Sequence, residues 1–169
     1  MRILNKSKCV EFKYHNQTMK QKTIKMDTHT TNTLTLFKAM KHAKIMLVEN
    51  KPEIVVLEAT TGYIPIGQFK EIFAVITSLV KEKNITKLIF DKRTLKVFHQ
   101  PSMEWYFVTW KEEVYDLGLQ THRKILPEDA IFRHSVKIGR EKIKAEHPNG
   151  KYTLMSIEYA ETIDEAIEN

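Results

Sequence analysis

At 169 residues and 42% hydrophobic, with a formal net charge of +6, the chain holds enough apolar content for one domain with a buried core. Its single cysteine, Cys9, excludes an intrachain disulfide and a cysteine-ligated zinc site; no apolar run nears the ~18 residues of a bilayer span, and no secretory-type apolar stretch opens the chain, so a soluble, cytoplasmic protein is expected. The basicity is local: residues 1–27 hold seven Lys or Arg against Glu11 and Asp27, which leaves 20 basic and 19 acidic residues in the body.

Residues 1–33 are rich in Lys, Gln, Thr, Asn and His without a sustained period, which predicts a loosely held basic arm, with an extra strand around "KCVEFKY" as the alternative. A start at Met19 or Met26 would shorten that arm. From residue 43 the pattern becomes regular. "AKIMLVENKPEIVVLEATTG" reads as two apolar strands, about 44–49 and 53–59, forming a hairpin turned at "ENKP" by Asn50 and Pro52. Ile66, Phe69, Ile72, Phe73, Ile76, Leu79 and Val80 then recur at steps of three and four, the stripe of an amphipathic helix opened by Pro65.

"TKLIF" is a short buried strand that ends at Asp91. Pro101 starts a second helix whose stripe runs Met103, Tyr106, Phe107, Trp110, Val114 and Leu117, with Gly118 placed to stop it. "LQTHRKIL" reads as a strand closed by Pro127. A third helix, about 128–144, carries Glu128 and Asp129 in its first turn and buries Phe132, Val136 and Ile143, and "HPNG" breaks it. "YTLMSIEY" is a last strand, and Thr162 with Glu165 forms a capping box for a short final helix. The order ββαβαβαβα predicts one α/β domain over 43–169, with a mostly parallel sheet, an N-terminal hairpin at its edge and helices packed on it.

That order, with the "IFDKRTLKVFHQPSMEW" junction, "ILPEDAIF" and "YAETIDEAI", resembles the SpoIIAA-like branch of the STAS superfamily, the sulfate transporter and anti-sigma-factor antagonist domains. In that pattern a strand ends in Asp-x-Arg, here Asp91 and Arg93, and a Trp, here Trp105, follows in the next helix. A strand ending in a Pro-x-Asp turn with an aromatic after it matches Pro127, Asp129 and Phe132, and the last strand-to-helix step matches Tyr159, Glu165 and Ala166. The resemblance covers about three-quarters of the chain and omits the arm. It implies a single STAS-like domain that is regulatory or ligand-binding and not an enzyme, some relatives being phospho-switched partners of kinases and others similar to the CRAL-TRIO lipid-transfer fold. Two departures stand out. The loop "DKRTLK" replaces an Asp-Ser-Ser-Gly type of phosphorylation site, leaving Thr94 as the one hydroxyl before Ser102, and "LQTHRKIL" is more polar than the family's apolar run, which leaves its burial open.

Several residues carry candidate chemistry. Asp91 and Arg93 fall at the carboxyl end of a parallel strand, where open α/β sheets bind ligands. Arg can clamp a carboxylate or phosphate there, and Thr94 belongs to the same loop; the competing reading is a local pair that stiffens the turn. Trp105 lies to one side of the core stripe with Lys111 to Glu113, either as an interface anchor or as a cover for the sheet edge. Arg133, Lys137, Arg140 and Lys144 make a basic stripe that could meet phosphates, diluted by Glu141 and Glu146 into what also reads as a solvated face. The seven histidines show no metal-ligand spacing, and no P-loop, dinucleotide turn or nucleophile elbow occurs, so neither metal, cofactor nor catalytic residue is assigned.

The sequence thus points to a non-catalytic STAS-like module that binds a protein partner through the loop after Asp91. The first alternative is a carrier or sensor of a small amphipathic or anionic ligand, which needs a closed apolar pocket of roughly 300–1,000 Å³. Nucleic-acid association through the arm is a third reading, marked by steep loss of binding with salt, and a homodimer is among the partner readings.

Overall fold

The computed structural model describes residues 32–169; the basic arm up to residue 31, with its alternative strand around "KCVEFKY", lies outside the described residues. The framework is set by Lys51–Ala59 (β3), whose Val55, Leu57 and Ala59 face one side and Ile54 and Val56 the other. Both sets are buried, which is why this segment reads as a continuous apolar run instead of an alternating one. Antiparallel to it lies Ala43–Val48 (β2), and antiparallel to that lies Leu34–Ala39 (β1). On its other side Lys87–Asp91 (β4), Thr121–Ile125 (β5) and Ser156–Tyr159 (β6) follow, all parallel. The six strands stand in chain order across the sheet.

The helices fill the crossovers. Ile66–Lys83 (α1) leaves β3, ends at Asn84 in the left-handed conformation, and buries every residue of its predicted stripe except Ile66, which is half-buried. Gln100–Trp105 (α2) and Lys111–Asp116 (α3) flank a single π turn, Tyr106–Trp110. Ala130–Glu146 (α4) is capped by Asp129, whose carboxylate accepts the Phe132 amide at 2.6 Å. These helices pack on the face that carries Val55, Leu57, Leu88 and Phe90, whereas Ile163–Glu168 (α5) covers the opposite face with Ala166 and Ile167 against Val56, Ile89 and Ile125.

The α/β class and the mostly parallel sheet are as expected, with four local corrections. The hairpin β2–β3 is not the edge, because β1 lies outside it. That strand is exposed along most of its length and carries no buried stripe; pairing alone makes it a strand. Pro52 belongs to β3 and not to the turn, which Glu49 and Asn50 form. "YTLMSIEY" is a strand only from Ser156; Lys151–Thr153 is a 3₁₀ turn that buries Tyr152, its hydroxyl donating to the His147 carbonyl at 2.7 Å. Asp129 caps α4 from outside its first turn.

The π turn fixes the register of the second helical segment. The Lys111 amide donates to the Tyr106 carbonyl five residues back, so one extra residue is accommodated. In a regular α-helix Lys111 would sit roughly 140° around the axis from Tyr106, and the wider turn draws it back beneath that face. Tyr106, Phe107, Trp110 and Lys111 are consequently all buried. Trp110 stacks on Tyr106 at 5.1 Å, meets Phe73 of α1 edge-on at 4.6 Å and donates its indole N–H to Thr77 Oγ1 at 2.9 Å. Trp110→Ala is expected to lower stability by about 3–5 kcal/mol in urea unfolding, since it removes a core side chain and the hydrogen bond that the Thr77 hydroxyl accepts, leaving that hydroxyl only its donation to the Phe73 carbonyl at 3.0 Å.

Candidate functional site

β4 and β5 end side by side, with Phe90 opposite Lys124 and Asp91 opposite Ile125. Past Asp91 the chain crosses the sheet end as a loop, residues 92–99. Its start is fixed by the Lys92 amide donating to the Ile125 carbonyl, and its middle by the Lys96 and Val97 amides donating to Gly62. His99 closes the loop as the cap of α2, its Nδ1 2.8 Å from the Ser102 hydroxyl. Gly139 lets α4 approach from the side: a Cβ there would lie 2.6 Å from the Phe98 ring and 2.5 Å from Gln100 Oε1.

Beneath the loop lies a cavity of about 60 Å³ with mostly apolar walls, among them Phe69, Phe90, Leu95, Phe98, Met103, Phe132 and Val136. Tyr63 and Val97, both exposed, form part of its rim. Strand order never reverses in this sheet, so there is no switch-point crevice between diverging crossovers. The site exists because two loops and three helices, α1, α2 and α4, close over the ends of two adjacent strands.

Two lysines line this apolar space, Lys92 and Lys124. β5 alternates as any strand does, placing His122 and Lys124 toward the helices. Arg123 turns the other way, to the Ser156 and Asn169 carbonyls at 3.1 and 2.8 Å. The polar strand "THRKI" is therefore buried on both faces. The Lys124 ammonium stands 4.4 Å from the centroid of Phe107, and that of Lys111 stands 4.3 Å from the same ring. Lys92 lies over Phe90 at 4.5 Å. Among the described residues no carboxylate forms an ion pair with any of the three. The Lys111 ammonium is fully enclosed and makes no hydrogen bond.

The electrostatics follow from that enclosure. Aromatic faces attract an ammonium, yet they replace only part of its lost hydration. Burial first, and then the neighbouring cations, push Lys111 and Lys124 well below the usual lysine range; Lys92 is lowered to about 8 by burial and by Arg140. Burial and the surrounding lysines likewise hold His122 neutral, with the Tyr106 hydroxyl 2.9 Å from its Nε2. Burial raises the Tyr106 phenol well above its ordinary value.

The residues singled out in the sequence are distributed as follows. Asp91 is buried and holds both Nε and Nη2 of Arg93, at 3.0 and 2.6 Å, as well as the Arg93 amide. The hydrogen bond to Asp91 keeps that guanidinium all the more firmly protonated, so its fork is engaged by its own loop. Thr94 is exposed and Ser102 buried. Trp105 is half-buried; its aromatic contacts are with Phe69 and Phe73 of α1, and Lys70 covers its ring at 5.4 Å. Lys111, grouped with Trp105 on a side face by α-helical spacing, is instead in the core. Arg133, Lys137, Arg140 and Lys144 do come together, lining an open cleft of about 380 Å³ with Leu126, Glu141 and Tyr159. Two of its cations are already engaged: Arg140 donates to the Tyr159 hydroxyl at 2.6 Å, and Arg133 donates to the Pro127 carbonyl and pairs with Glu161 at 3.5 Å. Glu104, Glu146 and His147, which no sequence spacing links, bring three ligand atoms within 4.8 Å of one another at the surface and could hold a divalent cation.

The comparisons with family models, curated proteins and solved structures return no match to this chain.

Depressed lysine pKa values make stability depend on pH in a definite direction. Below about pH 8 Lys92 is charged in both states; between there and 10.5 the unfolded chain binds more protons, so stability rises with pH. Lys111 and Lys124 act in the same sense and extend the window downward. Above about pH 10 the protonated Tyr106 phenol works in the opposite sense. Urea midpoints are therefore expected to climb from about pH 7.5 to about 9.5, and Lys111→Met should raise the midpoint at pH 7.5 and flatten the climb.

Proposed function

We propose that the protein is a cytoplasmic, non-catalytic STAS-like module that binds a protein partner through the loop after β4. The observation that carries this reading is the exposed apolar rim, Val97 on the loop and Tyr63 beside it, at the carboxyl ends of the parallel strands. The loop is held in shape by the Asp91–Arg93 pair and by the two bonds to Gly62, so it offers a preformed surface. The order of elements and the places of Asp91, Trp105, Asp129, Phe132 and Tyr159 along them support the STAS comparison. The carrier reading needs roughly 300–1,000 Å³ of enclosed apolar space, and the cavity here is about 60 Å³.

The test is native mass spectrometry of the protein isolated gently from its host, with Val97→Ser as the comparison. A stoichiometric protein companion, lost in Val97→Ser without a change in thermal midpoint, is the expected result. A bound small molecule with no companion would overturn docking in favour of a carrier.

A further inference from the structure

Lys124 occupies a central strand position at 1% exposure, where an Ile or Val would pack without any electrostatic penalty. It shares one cavity with Lys92, and neither has a carboxylate partner among the described residues. We infer that this cavity is a receptor for a small organic carboxylate, whose oxygens are met by the ammonium groups of Lys92 and Lys124 while its short apolar stem lies against Phe90, Phe98 and Phe132.

Three features choose the ligand class. The walls are apolar and aromatic, so the ligand carries carbon as well as charge. The volume of about 60 Å³ admits a handful of waters, and hence an acid of a few carbons and not a lipid. Of the other polar groups in the lining, Ser102 and His99 are tied to each other at 2.8 Å, the Tyr106 hydroxyl lies 2.9 Å from His122 Nε2, and Tyr63 stands at the exposed rim. Two ammonium groups suit the two oxygens of a carboxylate, whereas a phosphate would leave oxygens facing hydrocarbon. Lys111, 4.3 Å from the Phe107 centroid, is not among the cavity walls. The lowered lysine pKa values agree with this, since an anion supplies the countercharge that burial otherwise replaces by loss of a proton.

Butyrate serves as the probe for isothermal titration and thermal shift on the full chain, with butyramide and inorganic phosphate as controls. Saturable butyrate binding with a raised thermal midpoint, and no response to butyramide, is expected. Lys124→Met should weaken butyrate by about 10- to 100-fold while leaving the ligand-free midpoint unchanged or higher. If that variant fails to fold, Lys92→Met, at the less buried lysine, gives the same readout. Equal binding of butyrate and butyramide, or tighter binding of phosphate, would overturn the assignment. So would borohydride trapping of butyraldehyde on Lys92 or Lys124 with no butyrate binding, because the lysines would then be neutral amines. The inference does not require the docking role: Lys124→Met changes nothing on the outer surface of the loop, so butyrate binding and the protein companion can each be lost while the other persists.

Discussion

The contact between Phe73 of α1 and Trp110 of the π turn, at 4.6 Å and supported by the indole bond to Thr77, is the joint on which the helical face of the molecule depends. It fixes how far the second helical segment can rotate. With Trp110 in place, Tyr106 must stack beside it and reach His122 on β5, and Phe107 must meet both Lys111 and Lys124. The enclosure of the lysines is thus a consequence of aromatic packing, and the unusual electrostatics at the sheet end begin with a hydrophobic contact made elsewhere.

Part of this was legible in the sequence. The stripe from Phe69 to Val80 has a helical period and nothing competes with it. The caps Asp129 and Thr162 act through bonds to amides a few residues away, so local spacing carries them. β1 was not legible because its side chains apart from Leu34 are in solvent, and an edge strand that buries so little leaves no apolar period. Tyr152 matched a strand by residue type, but Gly150 and the turn that precedes it bend the backbone first.

The candidate site was half legible, for a similar reason. The carboxyl end of "LIFD" located the loop, because strand ends in parallel sheets gather function. α-Helical spacing puts Lys111 on a side face because no residue type signals the π turn that precedes it. His122 and Lys124 were visible only as an anomaly, a strand too polar for its central position. Their depth is set by the helices above them, which is tertiary information. That the basic residues of α4 face Tyr159 likewise follows from sheet order and not from the stripe itself.

The sequential order of strands has a consequence for how the molecule assembles. Each strand pairs with the one just before it in the chain, so no strand has to be threaded between two that are already joined. Loop closure spans one crossover at a time, and the growing edge is always the most recent strand. Assembly by accretion of this kind ends when the newest edge becomes a poor template. β6 is four residues long, and at the other end β1 shifts register around Phe37. Among the described residues both borders of the sheet are therefore poor templates for a seventh strand from another molecule.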